Sequence, residues 1–190
     1  MNSANKVVSS ETEELILVDT NDEETGTLSK AACHDGDGVL HRAFSLFLFS
    51  AAGELLLQQR SASKRLWPGF WSNSICSHPR HGESMAVATE RRLQDELNIS
   101  AELEFVYKFS YQAEFGANGS ENELCHVFLG RTPLVVRPND LEIASIRFIS
   151  AGDLDQEFAD KPETLTPWFQ LEWQSLTTQY RDQLATYAAL

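Results

Sequence analysis

A thiol and an imidazole stand two residues apart in the segment 71–79, which reads WSNSICSHP. If this segment is a strand, the spacing of two places Cys76 and His78 on the same face. A thiolate and an imidazole both bind metals and both transfer protons, so the pair suits either kind of site. Cys76 taken alone is typical of a small buried apolar residue. The spacing of Cys76 and His78 alone therefore does not identify a functional site.

Two carboxylates lie on the apolar parity of a second segment, 121–129, which reads ENELCHVFL. Glu121 and Glu123 share their parity with three apolar residues that follow at steps of two, Cys125, Val127 and Leu129. Carboxylates directed toward a core are costly unless they are paired or bound to a metal ion. A frayed, solvated strand end explains them equally well, so this segment alone favours neither interpretation.

Three histidines are placed where they can join these carboxylates. His34 and His41 flank the loop 35–38, and His78 lies near the end of the first segment. A single histidine is more often structural than a ligand. Three imidazoles and two carboxylates together, however, suit a borderline divalent ion such as Mn²⁺ or Zn²⁺. His81 and His126 have no such placement and are interpreted as structural.

The clearest helix is predicted for residues 82–98, with Ser84 as N-cap and Asn98 in the left-handed position after its end. It carries most of the Nudix box, G-x5-E-x7-R-E-U-x-E-E-x-G-U, where U is a bulky aliphatic residue. The matching positions are Glu83, Arg91, Leu93, Asp95, Glu96 and Ile99. The departures are Ser77 and Asn98 for the two glycines and Arg92 for a glutamate. The helix pattern of the Nudix box is therefore retained. One of the helix carboxylates that a Nudix hydrolase uses for hydrolysis is replaced by Arg92.

Periodicity and turn signals predict the other elements. Strands are expected at 14–19, 41–50, 54–60, 102–112, 121–131 and 143–149. The segment 41–50 is apolar on both parities, which predicts a central strand covered on both faces. In 102–112 the residues expected on one buried face are Phe105, Tyr107, Phe109 and Tyr111.

The C-terminal region from Thr166 to about residue 185 is predicted to be helical, with Pro167 at the first helical position. Ala52-Gly53 and Asn118-Gly119 are turn signals that predict hairpins. Strands, a long helix, more strands and a terminal helix predict an α+β fold in a single domain, 13–190. Residues 1–12 are polar and are predicted to form a disordered or loosely attached N-terminal tail.

Composition and charge narrow the class of partner. The 190 residues carry a formal net charge of -13, and such an acidic surface disfavours nucleic acid. An anionic ligand would need metal ions or a few inward Lys and Arg side chains. Three scattered cysteines are too few for a disulfide framework and predict a reducing compartment. Without a signal peptide or a bilayer-spanning stretch, the chain is predicted to be cytoplasmic, with no membrane insertion.

Taken together, these segments resemble the type I isopentenyl-diphosphate isomerases, which have a Nudix fold. The resemblance covers residues 14–173, most of the chain, through several ordered motifs at matching spacing. The motifs are Thr25-Gly26-Thr27-Leu28 with Lys30 and His34, His41-Arg42-Ala43-Phe44-Ser45, Trp67-Pro68-Gly69, the segment 71–79, Glu121-Asn122-Glu123-Leu124-Cys125 and Thr166-Pro167-Trp168. It implies a Nudix-like mixed β-sheet sandwiched between helices, and action on a small prenyl diphosphate. The chain is predicted to be a monomer, although the sequence does not fix the oligomeric state.

The resemblance also implies two metal sites. One divalent ion, Mn²⁺, Zn²⁺ or Mg²⁺, would be held by His34, His41, His78, Glu121 and Glu123. A Mg²⁺ on the substrate diphosphate would be held by Glu96 and by the backbone of Cys76. The side chains implied to bind the substrate are Lys30, Arg60, Lys64, Arg92 and Ser77.

The family reaction moves a double bond from C3–C4 to C2–C3 through a tertiary carbocation. The resemblance implies that Glu123, with Tyr111 beside it, protonates the alkene and that Cys76 removes a proton from C2 on the opposite face. Trp168 would lie against the cation, where an indole face contributes up to about 2 kcal/mol or more when desolvated. Packing of the last helix is the alternative role for Trp168. On this interpretation His78 binds the metal, whereas the Cys76 sulfur does not.

Two other classes of function stay open. A Nudix hydrolase would cleave a nucleoside or prenyl diphosphate, but Arg92 leaves too few helix carboxylates for the usual metal cluster. A catalytically inactive module would only bind a metal or a diphosphate, and any measurable turnover would exclude it. Release of phosphate separates the hydrolase from the isomerase.

Overall fold

One mixed β-sheet organises the residues described by the computed structural model, 7–133 and 135–190. Its nine strands are β1 Glu14–Val18, β2 Glu24–Ser29, β3 His41–Phe49, β4 Leu55–Arg60, β5 Trp71–Ser72, β6 Ile75–Ser77, β7 Leu103–Glu114, β8 Ser120–Arg131 and β9 Ile143–Ile149. The α-helices are α1 Lys30–Cys33, α2 Met85–Arg92, α3 Ala151–Asp160, α4 Pro167–Thr178 and α5 Arg181–Leu184.

The parallel pair of β3 and β8 brings distant parts of the chain to one end of the sheet. Its register places His41 opposite Glu123. On the other side of β3, the short strand β6 pairs antiparallel and places Cys76 opposite Ser45. β7 pairs antiparallel with β8, so that Tyr111 lies opposite Glu123. Four segments of the candidate site therefore meet through backbone pairing alone.

Both faces of β3 are covered, as its apolar residues on both parities predict. On one face Phe47 packs in a core cluster with Trp168 and Phe169 of α4. On the other face Leu46 packs in a second cluster with Ala88 of α2. The sheet is sandwiched between helices, and the predicted α+β fold is confirmed.

The predicted helix 82–98 is present as α2 followed by a π-helical turn, Leu93–Leu97. The Ser84 hydroxyl accepts a hydrogen bond from the Val87 N–H at 3.3 Å, and Asn98 is left-handed with φ 56° and ψ 44°. Both predicted ends are confirmed. A π-helical turn often lies at a functional site, and this one contains the buried carboxylate of Glu96.

The prediction that Phe105 lies on the buried face of β7 is wrong. The pairing register between β7 and β8 shifts between Phe105 and Tyr107, where Val106 is the extra residue. Phe105 therefore lies 50% exposed on the face opposite to Tyr107, against the ring of Phe128. A β-bulge reverses the alternation beyond it, and period-two reasoning assumes that no bulge occurs.

Three local features depart from the sequence expectations. Strand β2, Glu24–Ser29, is not among the predicted strands. Helix α3 is not predicted, although the Ser150 hydroxyl caps it by accepting from the Asp153 N–H at 3.1 Å. The hairpin of β3 and β4 is paired only at Phe49 opposite Leu55, whereas β4 pairs with β9 from Leu55 to Arg60.

Part of the predicted N-terminal tail packs against the folded chain, while residues 1–6 lie outside the described residues. Val8 is buried, and its carbonyl oxygen accepts a hydrogen bond from Arg92 Nη1 at 2.6 Å. The Ser9 hydroxyl accepts from Lys30 Nζ at 2.5 Å. These residues form part of a wall around two cationic side chains. Of the helices that the structure describes, none has the length and apolar character needed to cross a membrane.

Candidate active site

Three imidazoles and two carboxylates converge where β3, β6 and β8 meet. Each of the five side chains offers one ligand atom, and these atoms all lie within 4.8 Å of one another. The imidazole ring centroids are 4.8 to 5.4 Å apart. The five residues, which are the ones proposed from the sequence, are His34, His41, His78, Glu121 and Glu123.

Backbone contacts orient two of the imidazoles. His34 caps the C-terminus of α1, and its Nδ1 lies 2.6 Å from the Lys30 carbonyl oxygen. His41 begins β3, and its Nδ1 lies 2.7 Å from the Val39 carbonyl oxygen. If the His41 Nδ1 donates to its carbonyl, the His41 Nε2 is an acceptor directed at the cluster. The buried Nε2 of His41 has no hydrogen-bond partner, as expected of a metal ligand.

The two carboxylates have different surroundings. Burial opposes ionisation of Glu121, but His34, whose Nε2 is 2.8 Å from Glu121 Oε2, lowers the Glu121 pKa to about 2. Burial and the neighbouring charge of Glu121 raise the pKa of Glu123 well above its ordinary value. Glu123 Oε1 lies 2.8 Å from His78 Nε2, and its Oε2 accepts from the Tyr111 hydroxyl at 2.6 Å. Glu121 therefore favours the carboxylate anion, whereas Glu123 favours the neutral acid.

The donor set fits a divalent transition metal. Burial lowers the pKa of His41 to about 4 and lowers the pKa of His78 well below its ordinary value. Neutral imidazoles and at least one carboxylate anion are the forms that bind Mn²⁺ or Zn²⁺. A cation would also offset the cost of burying two carboxylates side by side.

Cys76 lies beside this cluster but has different neighbours. Its Sγ lies 2.8 Å from Asn73 Oδ1, 3.0 Å from Trp168 Nε1, 3.5 Å from Ser72 Oγ and 3.7 Å from Ser45 Oγ. The sulfur is not one of the five clustered ligand atoms. Burial, with a contribution from the charge of Glu172, raises the Cys76 pKa to about 12. The resting side chain is therefore a thiol held among hydrogen-bonding groups.

A cavity of about 230 Å³ joins the metal cluster to Cys76. Its wall includes Tyr111, Trp168 and the carboxylates of Glu121 and Glu123. It also includes every substrate-binding residue proposed from the sequence, namely Lys30, Arg60, Lys64, Arg92 and Ser77. Five Lys and Arg side chains thus border one cavity of a strongly acidic chain, together with the carboxylates of Glu11, Glu121, Glu123 and Glu142.

The two innermost cations are already paired with buried carboxylates. Arg92 Nη2 lies 2.7 Å from Glu96 Oε1 and 3.7 Å from Glu142 Oε2, and Lys64 also pairs with Glu142. Burial lowers the pKa of Lys64 to about 8, although Glu142 opposes that shift. Glu96 lies behind Arg92 and does not reach the histidine cluster. Glu142 is not among the site residues predicted from the sequence, because it follows an irregular segment and belongs to no motif or spacing that would single it out.

Arg60 and Trp168 have further contacts that the sequence did not indicate. Arg60 Nε donates to the carbonyl oxygens of Leu66 and Trp67 at 3.2 and 3.1 Å. Its guanidinium carbon lies over the Trp168 ring, 5.2 Å from the centroid. Trp67 meets Trp168 edge-on at 5.2 Å. One face of the indole is therefore already occupied by a cation.

Gly119 allows the β8 end of the site to approach α1. Its φ is +123°, and a Cβ added there would clash with the carbonyl oxygen of His34. That carbonyl also accepts a hydrogen bond from the Ser120 N–H at 3.0 Å. The close approach helps to bring His34 and Glu121 together.

We expect Gly119→Ala to destabilise the fold by about 1–3 kcal/mol, because alanine is strained at this φ. The change would displace His34 from Glu121 and so also weaken Mn²⁺ binding. Thermal unfolding and Mn²⁺ titration measure the two effects. The control is Gly152→Ala, since an added Cβ there meets nothing within 4 Å. Equal stability and equal Mn²⁺ affinity in both variants would contradict the positioning role of Gly119.

Comparison with known proteins adds sequence relatives of nearly the same length. A family model described as the NUDIX domain matches residues 39–169. The chain is 41% identical over 174 residues to isopentenyl-diphosphate Delta-isomerase 1 of Photorhabdus laumondii, covering 90% of this chain and 99% of the relative. It is 43% identical over 157 residues to the isopentenyl-diphosphate Delta-isomerase of Burkholderia multivorans, covering 83% and 89%. The protein of that name from Escherichia coli is 37% identical over 180 residues, covering 94% and 98%.

Solved structures share the fold at lower sequence identity. A crystal structure of a Deinococcus radiodurans protein has a TM-score of 0.65 at 23% identity, covering 78% of this chain and 90% of that one. A MutT protein from Methanosarcina mazei has a TM-score of 0.61 at 17% identity, covering 74% and 95%. These likenesses concern the arrangement of the sheet and its helices.

Proposed function

We propose that this chain, which belongs to the Nudix family and within it to the isopentenyl-diphosphate isomerases, interconverts isopentenyl and dimethylallyl diphosphate. The observation that carries the proposal is a single cavity bordered by Cys76, by the hydrogen-bonded pair of Glu123 and Tyr111, and by several cations. Two proton-transfer groups at one cavity suit the movement of a double bond. The cations suit the diphosphate to which the carbon skeleton is attached.

The diphosphate would bind among the cationic side chains. Lys64 and Arg92 are held in the cavity wall by Glu142 and Glu96. An entering diphosphate would share or replace these carboxylates as the partner of each cation. Phosphate oxygens form strong charge-assisted hydrogen bonds with such groups, and this local positive charge overcomes the repulsion from a net charge of -13.

The proposed function includes two metal ions. The five-residue cluster would hold one divalent ion, Mn²⁺ or Zn²⁺, whose charge would stabilise the neighbouring carboxylates. Glu96 and the Cys76 backbone carbonyl would help to hold a Mg²⁺ together with the substrate diphosphate, since Mg²⁺ is bound through few carboxylates and substrate oxygens.

Protonation of the alkene is assigned to Glu123. Its neutral form gives a proton to C4, and the C3–C4 π electrons form the new C4–H bond, leaving a cation at C3. Tyr111, which donates to Glu123 Oε2, would stabilise the carboxylate that remains. The free face of Trp168 would contact the cation, since Arg60 covers the other face.

Deprotonation is assigned to Cys76. Its thiolate takes a proton from C2, and the C2–H electrons form the C2–C3 double bond. The indole N–H of Trp168, 3.0 Å from the sulfur, would stabilise the thiolate. In the reverse reaction the thiol protonates C2 and the Glu123 carboxylate accepts a proton from C4. The high pKa keeps Cys76 a thiol, which is the form that the reverse reaction requires. The hydrogen-bond donors around the sulfur stabilise the thiolate, which is the form that the forward reaction requires.

The test is to supply the purified chain with Mg²⁺, Mn²⁺ and isopentenyl diphosphate and to follow the products by NMR. We expect dimethylallyl diphosphate without release of phosphate, and one solvent deuteron in the new methyl group when the reaction is run in D₂O. Phosphate release from a panel of diphosphates, abolished by Glu96→Gln, would support a hydrolase instead. Binding of the diphosphate without any turnover would support an inactive binding module.

A further inference from the structure

Glu172 is a fully buried acid with no role in the proton transfers described above. It lies on α4 one turn after Trp168 and is 0% exposed. Its Oε1 accepts from the Cys125 thiol at 3.5 Å, and its Oε2 has no hydrogen-bond partner. Among the described residues, no Lys, Arg or His forms an ion pair with it. Burial raises the Glu172 pKa to about 8, so the side chain is mainly an uncharged acid at neutral pH.

Ser45 connects this acid to Cys76. The Ser45 hydroxyl and the Glu172 carboxyl group are neighbours, because Ser45 Oγ and Glu172 Oε1 each lie 3.5 Å from the Cys125 sulfur. Ser45 Oγ also lies 3.7 Å from the Cys76 sulfur. The position of Ser45 is fixed by the sheet, because it pairs with Cys76 across β3 and β6. One hydroxyl group thus separates Glu172 from the sulfur that borders the cavity.

We propose that Glu172 is a positioning residue for Cys76, which it serves by donating a hydrogen bond to Ser45 and so directing the Ser45 hydroxyl hydrogen at the Cys76 sulfur. A hydroxyl has one hydrogen and two acceptor positions. An uncharged carboxylic acid can donate to the Ser45 oxygen and leave that hydrogen for the sulfur. A carboxylate accepts only, and would take the hydrogen for itself.

This arrangement matters when the sulfur carries negative charge, because hydrogen bonds to charged groups are stronger than those between neutral groups. No proton leaves Glu172, and no atom of Glu172 contacts the substrate. The inference goes beyond the proposed function but rests on it, since it concerns how well Cys76 performs its assigned step. It also explains why an acid occupies a site where an apolar side chain would cost less to bury.

Three single variants, one double variant and a control test the proposal. Glu172→Leu and Ser45→Ala should each lower kcat about tenfold or more, with KM for isopentenyl diphosphate little changed because the cations are untouched. The double variant should be no slower than either single variant, since both break one chain of hydrogen bonds. Glu172→Gln, whose amide can still donate to Ser45, should keep kcat within about threefold of the wild type at pH 7.

The matched control is Tyr107→Phe. Its hydroxyl donates to the Glu172 backbone carbonyl at 3.3 Å, but it is not part of the chain to Cys76. We expect kcat to be unchanged in this variant. Thermal unfolding should show Glu172→Leu to be at least as stable as the wild type, so that lost kcat is not lost folding. Additive effects in the double variant, or wild-type kcat in Glu172→Leu, would overturn the proposal.

The pH profile adds a measurement that a purely structural role would not change. The titratable groups near Glu172 are Cys76, Tyr107, Glu123 and Cys125. As pH rises through about 8, ionised Glu172 should withdraw the Ser45 hydrogen, and wild-type kcat should fall. Glu172→Gln should lack this decrease, and equal profiles for the two proteins would contradict the proposed direction of the hydrogen bonds.

An infrared measurement separates failure of this proposal from failure of the proposed function. The spectrum of wild type minus Glu172→Gln should contain the carbonyl band of a protonated carboxylic acid at pH 7, and the band should disappear above pH 8. If the wild type does not convert isopentenyl diphosphate, the proposed function fails, while the band still reports the acid. Absence of the band would overturn the role of Glu172 even in an active enzyme.

Discussion

Cys76→Ala is expected to lower kcat by about 10²–10⁴-fold, the usual contribution of one general acid–base group. Alanine removes the only group proposed to exchange a proton with C2. The KM for isopentenyl diphosphate should change much less, because the cations that would bind the diphosphate are other residues of the cavity wall. Steady-state conversion of isopentenyl diphosphate, followed by NMR, provides both constants.

Two controls make the result for Cys76 specific. Cys33→Ala removes another buried thiol, which donates a hydrogen bond to the Leu28 carbonyl oxygen at 3.8 Å, and should retain kcat. Retained binding of Mn²⁺ by Cys76→Ala would show that the histidine cluster is intact and that the sulfur is not a ligand. Full turnover in Cys76→Ala would exclude the assigned role of Cys76.

Local sequence patterns were sufficient to predict many residues of the candidate site. The parity of β8 put Glu121 and Glu123 on a buried face, and the structure confirms this burial. The unusual residue types then suggested a metal cluster, because a fold rarely buries two acids without partners. The capping residues Ser84 and Asn98 predicted the ends of the long helix, since each supplies a backbone interaction that depends on neighbours in sequence.

Features that depend on distant contacts were not predictable. The parallel pairing of β3 with β8 joins segments about 80 residues apart, and nothing in either periodicity specifies the partner. The bulge at Val106 changes the face of Phe105 without a glycine or proline to mark it. Glu142 and Glu172 are significant only through what surrounds them. A buried acid in a segment without a motif is identified by three-dimensional packing, not by spacing.

The two glutamates of the metal cluster should respond differently to the same substitution. Glu121→Gln keeps an oxygen near His34 but removes the negative charge, so Mn²⁺ affinity should fall about 10–100-fold. Its kcat should recover at high Mn²⁺, because Glu121 has no proposed part in proton transfer. Glu123→Gln removes a ligand and also the proposed proton donor, so kcat should fall about 10²–10⁴-fold.

Turnover measured over a range of Mn²⁺ concentrations separates these effects for Glu123. Saturating Mn²⁺ can restore a weakened site, but it cannot supply the proton that C4 requires. We therefore expect Glu123→Gln to remain slow at every Mn²⁺ concentration, although Mn²⁺ still binds. Recovery of Glu123→Gln by Mn²⁺ would show that this side chain acts only as a ligand, and the proton donor would then have to be Tyr111. The neutral amide should fold normally, because burial already favours the uncharged form of Glu123.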